Sequence, residues 1–310
     1  MPEEGANDGT RCSKNSYSED LDTAFSCSKW SKQKLSPDEV VEDFIKRCDE
    51  ESVKFLSEGA FQPQLNLKYG SQDREKIDVF LPKSAGVDAP IFMFLHGGYW
   101  QAEELSKDNN SFLGAPLIKN GAVFVTVGYS LAPECTLHDM VEQVKKVVVF
   151  VARRFPHTRG VFISGHSAGG HLAAMMLSVD WSSLLQDKKN VIKGILPISG
   201  IFDVRLITKT YINEPLSLTE SSAASVSPHL LVDAIPECNL GVKVHLLFTE
   251  YDPPILKQQA QDYSKLLSSY GLDVEMTMLP EKDHFQELIE LTNENCLFQK
   301  VFLRMMGLTS

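Results

Sequence analysis

No run of the sequence approaches the ~18 apolar residues that a helix needs to cross a bilayer. The longest apolar stretches, such as VKKVVVFVA at 144–152, are short and broken by lysine, so no membrane partner is expected. A basic excess is missing too. Lys and Arg number 30 against 41 Asp and Glu, a net charge of −11. That argues against nucleic acid or an anionic membrane surface, because both require a basic face. The six cysteines (Cys12, Cys27, Cys48, Cys135, Cys238, Cys296) form no CxxC pair and no Cys/His metal spacing. They read as reduced, mostly buried thiols, and no metal is expected on them. The N-terminus opens with acids and has no apolar h-region, so no secretory signal is expected. The chain reads as cytoplasmic, with access to the nucleus left open. Whether it works as a homodimer is also left open.

What is present is ordinary globular composition, 43% hydrophobic and 23% charged over 310 residues, enough for one large domain. Residues 1–35 are polar and without periodicity, and read as a flexible or loosely docked leader. A helix is expected from Ser36-Pro37, with proline at its first position. From there strands alternate with helices, which predicts an α/β fold with a mainly parallel central sheet covered by helices on both faces. Candidate strands are 76–81, 91–96, 122–129, 160–165, 192–198, 242–249 and 274–279. The helix at 138–154 places Val141, Val144, Val147, Val148 and Val151 on one face. Alternation is lost at 204–240, where a small helical cap over the sheet is expected within a single domain spanning 36–310.

The segment VFISGHSAGGHLAAMML contains Gly165-His166-Ser167-Ala168-Gly169 between a strand and a helix. Chance supplies this GxSxG spacing in about one chain in ten of such composition, and the strand–helix context cuts that several-fold. The pattern describes a nucleophile elbow, a turn so sharp that only glycines fit beside a strained serine whose Oγ projects at the sheet edge. Ser167 is the expected nucleophile of an α/β-hydrolase. Upstream, His96-Gly97-Gly98-Tyr99-Trp100 directly follows a strand. Gly97 and Gly98, with Ala168 after the nucleophile, are the expected oxyanion donors, since glycine lets N–H groups approach a substrate oxygen closely. His96 reads as shaping the loop. Tyr99 and Trp100 read either as core aromatics or as a pocket wall favouring a small acyl group.

In this fold the chain order is Ser, acid, His. Of the histidines after Ser167, His171 falls on the elbow helix, His229 in the cap and His245 inside a strand. His284, in the loop after the last strand, is the expected base. The acid should follow the strand at 242–249. Asp252 is preferred, held in a loop fixed by Pro253 and Pro254, with Glu250 the runner-up and Asp203 and Asp283 weaker alternatives.

Together HGGYW (96–100), YSLAPE (129–134), GHSAGGHLAAM (165–175), SGIFDV (199–204), and EYDPP (250–254) with KDHF (282–285) resemble the kynurenine formamidase (arylformamidase) family. That family is a hormone-sensitive-lipase-like branch of the α/β-hydrolases. The resemblance extends from SKW at 28–30 to the C-terminus. Tyr99 stands where the esterase branch usually has a third glycine. Ser130 replaces the arginine of YRLAPE, so no role of that arginine carries over. By position the family's triad falls on Ser167, Asp252 and His284. The resemblance implies N-formyl-L-kynurenine as the small-molecule substrate, cleaved to L-kynurenine and formate in tryptophan degradation, with no cofactor. The rival readings are a small-acyl carboxylesterase with the same machinery and a non-catalytic interaction module.

Overall fold

The structure, a computed structural model, describes residues 14–84, 86–186, 190–293 and 295–308, with side chains from residue 20 onward. Cys12 and the first 13 residues of the expected leader lie outside the described residues. Among those described, no helix is long and apolar enough to cross a membrane.

Strands β1 (Phe61–Lys68), β2 (Lys76–Pro82), β3 (Ile91–Leu95), β4 (Val123–Val127), β5 (Val161–His166), β6 (Ile192–Ile198), β7 (Lys243–Thr249) and β8 (Val274–Leu279) form one sheet. Their order is β1-β2-β4-β3-β5-β6-β7-β8. β2 runs antiparallel to both neighbours, while the strands from β4 across to β8 are parallel. Every residue of β3, β4 and β5 is buried, which is why these strands read as unbroken apolar runs. The sequence reading has no counterpart of β1. FQPQLNLK is mostly exposed and contains Pro63, and an edge strand paired on one side tolerates both.

Eleven α-helices occur among the described residues: α1 (Lys14–Phe25), α2 (Pro37–Glu58), α3 (Ala115–Lys119), α4 (Leu137–Arg154), α5 (Ala168–Met175), α6 (Trp181–Leu185), α7 (Asn213–Leu216), α8 (Glu220–Ser225), α9 (Pro254–Tyr270), α10 (Gln286–Glu290) and α11 (Leu297–Met305). Local chemistry starts the two longest. Ser36 and Glu39 form a reciprocal capping box on α2, and Thr136 and Asp139 form one on α4. The core has two layers, one on each sheet face. Met93 and Leu95 point to the layer with Val144, Val148 and Leu172, while Phe92 and Phe94 point to the layer with Phe44 and Phe298. Between β6 and β7, residues 205–239 fold into α7, α8 and short 3₁₀ turns, which bury Ile207, Ile212, Ala223 and Val232.

The polar leader differs from expectation over its described part. It is helical as α1, followed by a 3₁₀ turn at Cys27–Trp30, and Phe25 and Cys27 are buried. Two apolar anchors and a handful of hydrogen bonds to distant loops hold it down, and neither leaves a periodic signal in the sequence.

The tightest approach lies where α5 leaves β5. A Cβ on Gly169 would stand 2.0 Å from the Leu95 carbonyl oxygen, and one on Gly165 would stand 2.4 Å from the Gly169 backbone. Backbone has no room to yield there. Gly169→Ala is therefore expected to lower the unfolding free energy by about 3 kcal/mol. Gly241→Ala, whose added Cβ meets nothing within 4 Å, should change it by less than about 0.5 kcal/mol. Urea titration of both variants reads the difference.

Candidate active site

The elbow sets Ser167 at φ 55°, ψ −115°, a conformation that L side chains rarely adopt, immediately ahead of α5. Two bonds hold this backbone. The Ser167 N–H donates to Ile198 O at 2.8 Å, and its carbonyl accepts from the His171 N–H at 3.0 Å. The strain is thus fixed by the neighbouring strand and by the first turn of the helix.

Chain order selects Asp252 and His284, and the fold brings them together. The β7–α9 loop carries Asp252 and the β8–α10 loop carries His284. His284 Nδ1 lies 2.7 Å from Asp252 Oδ1, and both side chains are buried. Asp252 Oδ2 accepts from Ser199 Oγ at 2.5 Å and from the Thr249 N–H at 2.8 Å. Burial by itself would raise the Asp252 pKa. The hydrogen bond and charge of His284, then Ser199 and the Thr249 N–H, outweigh it and hold the carboxyl below its ordinary range. Burial likewise opposes a charged His284, but Cys27 and Asp252 beside it carry the pKa well above 6.5.

His166, the variable residue of the elbow, packs against His284 with ring centroids 4.5 Å apart, and its Nε2–H donates to the His284 carbonyl at 2.8 Å. Burial first, and the His284 charge second, keep it neutral. The other candidate acids are committed elsewhere. Glu250 accepts from the Glu281 N–H, Asp203 pairs with Arg205 at 2.6 Å, and Asp283 caps the turn into α10 through the Phe285 and Gln286 N–H groups.

Gly97 lies against Ser167, where a Cβ on it would stand 3.4 Å from Ser167 Cβ. Gly98 takes φ 105°. The N–H groups of Gly97, Gly98 and Ala168 enter none of the backbone bonds that tie down the surrounding turns, which leaves them available to a substrate oxygen. His96 shapes this loop, with Nδ1 bonded to Gly97 O at 2.9 Å and its ring stacked on Tyr129 at 4.3 Å. The two aromatics part company. Trp100 turns into the core, where its indole N–H donates to His171 Nδ1 at 3.2 Å. The Tyr99 hydroxyl donates to Phe25 O and lies 3.4 Å from Cys27 Sγ.

Several neighbours of the site escape sequence reasoning. The leader reaches over it. Cys27 contacts His284 as well as Tyr99, Ser31 Oγ and Gln33 Nε2 donate to Asp283 Oδ2 at 2.5 and 3.0 Å, and Asp22 accepts from the Tyr211 N–H. Ser199 stands just beyond β6 with φ 44°, and Glu287 lies three residues past His284. Position offers the one usable signal. Ser199 opens the SGIFDV segment at the same sheet edge as the nucleophile. His166, His284 and Glu287 form the one group among the described residues close enough to share a metal ion. Of these, His284 Nδ1 is engaged by Asp252 and His166 Nε2 donates to the His284 carbonyl.

Comparison with known proteins places the chain in a family. The BD-FAE family model matches residues 77–237. The chain is 38% identical over 289 residues to the kynurenine formamidase of Danio rerio, covering 93% of this chain and 96% of that one. It is also 38% identical to the kynurenine formamidase of Salmo salar, with the same coverages. Among solved structures, a chain described as a thioesterase from Silicibacter sp. TM1040 superposes with a TM-score of 0.77 at 26% identity, covering 91% of this chain and 98% of the other.

Only a neutral imidazole can take a proton from Ser167, and here the imidazolium is favoured. Labelling of Ser167 by a fluorophosphonate is therefore expected to slow as pH falls through a pKa above 6.5. Asp252→Asn removes the partner that favours the charged ring, so the acid limb should move to lower pH. The plateau should fall by about 10⁴-fold because the tautomer is no longer held. The pH dependence of the labelling rate in both proteins checks this.

Proposed function

The chain belongs to the kynurenine formamidase family, and from that premise we propose that it hydrolyses the formamide of N-formyl-L-kynurenine to L-kynurenine and formate. The observation that carries this reading is the Asp252–His284 pair 2.7 Å apart, with His284 packed on the ring of His166, the residue that precedes Ser167 at its strained elbow, and Gly97 against Ser167 on the other side.

In this reading His284 takes the Oγ proton as Ser167 attacks the formyl carbon. The oxyanion that develops is held by the N–H groups of Gly97, Gly98 and Ala168. Each such donor contributes about 3 kcal/mol to the transition state. Asp252 keeps the Nδ1 proton in place and stabilises the imidazolium without taking its proton. His284 then protonates the departing aniline nitrogen, which releases kynurenine and leaves a formyl ester on Ser167. Water gives a proton to His284 and its oxygen to the ester carbon, and formate departs as Ser167 regains its proton. A formyl group needs no acyl pocket beyond room for a hydrogen. Tyr99, tethered to Phe25 O and 3.4 Å from Cys27 Sγ, which contacts His284, supports that choice over a larger acyl group. Free thiols at Cys27, Cys48, Cys135, Cys238 and Cys296 fit a reducing compartment such as the cytoplasm.

Steady-state kinetics on the full chain test the assignment. kcat/KM for N-formyl-L-kynurenine is expected to exceed that for p-nitrophenyl acetate by about 100-fold or more, since discrimination lives in the pocket. The reverse order would make the chain a small-acyl carboxylesterase with the same machinery. Ser167→Ala should lower kcat by about 10⁴-fold or more. Turnover at the wild-type rate in that variant would remove Ser167 from the chemistry.

A further inference from the structure

Beside the loop that carries Gly97 and Gly98 lies a pocket of about 300 Å³ that the hydrolytic reaction leaves unused. His96 lines it, with Arg74 and Lys76 at the start of β2, Glu103 and Lys107 in the segment beyond Trp100, and Tyr129 beyond β4. None of Ser167, Asp252, His284, Gly97 and Ala168 is in its walls. A single water takes up about 30 Å³ of liquid, so the space suits a small organic molecule.

His96 brings to this pocket an acceptor without a donor. Its side chain is 1% exposed, and its ring is stacked on Tyr129 at 4.3 Å. Gly97 O can only accept, so the 2.9 Å bond to it puts the ring proton on Nδ1. Burial holds the imidazole neutral, its pKa down to about 4, and Nε2 therefore carries a bare lone pair. That lone pair has no hydrogen-bond partner. An unmatched buried acceptor is costly, and a ligand N–H seated in the pocket would match it.

The charged lining has both signs. Lys107 is already committed, to Asp78 at 2.7 Å and Asp108 at 2.6 Å. Among the described residues, Arg74 and Lys76 have no acid within ion-pair distance, and Asp73 and Glu103, also in the walls, have no base. Two spare cations, two spare carboxylates and a neutral acceptor complement a zwitterion better than an ion of one sign. A carboxylate would be met by Arg74, whose planar fork suits it, and an ammonium by His96 Nε2 and the acids. The Arg74 charge also bears on the His96 ring, which sets the two halves side by side.

We propose that this pocket is a second binding site, for a small α-amino acid with its ammonium on His96 Nε2 and its carboxylate on Arg74. It is separate from the hydrolytic site and joined to it through the His96 Nδ1–Gly97 O bond.

Titration of the full chain with L-alanine, propionate and ethylammonium tests this. Calorimetry reads the affinity, and the nitrogen NMR resonance of His96 Nε2 reads the place. L-alanine is expected to shift that resonance saturably. It should bind at least about tenfold more tightly than propionate or ethylammonium, each of which lacks one of the two charged contacts. Arg74→Gln should weaken L-alanine about tenfold or more while leaving ethylammonium unchanged, and His96→Leu should weaken it likewise. Should His96→Leu fold poorly, Arg74→Gln still decides the matter. Chain already labelled at Ser167 by a fluorophosphonate should bind L-alanine as before. A His96 resonance that L-alanine leaves unmoved would assign the lone pair to solvent water and overturn the proposal. Equal binding of the three probes, or undiminished L-alanine binding in Arg74→Gln, would overturn it as well. Loss of binding after labelling would put the amino acid in the hydrolytic site instead.

Discussion

A carboxylate that is almost fully withdrawn from water is the constraint around which this structure is organised. Asp252 is 1% exposed, and an isolated charge in such surroundings costs far more than a single neutral hydrogen bond returns. It is tolerated because three donors converge on it from separate parts of the chain: the His284 ring, the Ser199 hydroxyl and the Thr249 backbone. Removing one of them leaves the charge under-solvated and the imidazole without a fixed tautomer. Stability and reactivity therefore meet at the same oxygen atoms.

The sheet order explains how those donors come to be neighbours. β5, β6, β7 and β8 lie side by side and parallel, so their C-terminal ends open onto one edge. The residues just past those ends are Ser167, Ser199, Asp252 and His284. Binding and reaction at the carboxyl ends of parallel strands is the general expectation for such sheets. Two of these residues, Ser167 and Ser199, sit at positive φ, where the turn out of the strand is sharpest. The strain at Ser167 is held by its bond to Ile198 O, so β6 supports the Ser167 turn and also leads directly into Ser199.

Much of this was legible in the residues themselves. Buried parallel strands announce themselves as apolar runs, and the elbow as glycines around a serine. Asp252 and His284 follow from chain order. What escaped does so for identifiable reasons. β1 is an exposed edge, so no burial imprints a period on FQPQLNLK. Tyr99 and Trp100 are adjacent and equally aromatic, yet with backbone at positive φ, 48° and 61° respectively, Tyr99 faces the leader and Trp100 the core. Glu287 resembles any acid in the first turn of a helix until its 0% exposure is known. The leader's contacts with Tyr99, Tyr211 and Asp283 are a few hydrogen bonds over long sequence separations, which local composition cannot encode.

Those long separations govern when the site comes into being. Ser31 reaches Asp283 across 252 positions, and Phe25 reaches Tyr99 across 74. Synthesis makes Ser31 252 positions ahead of Asp283, so the leader must wait without that partner while the intervening chain is made. Contacts of such high order close late in folding, after the sheet that carries the loops has formed. The leader is thus made well before the loop it docks on, and until Asp283 and His284 emerge, Cys27 and Ser31 have nothing at that end of the sheet to settle on.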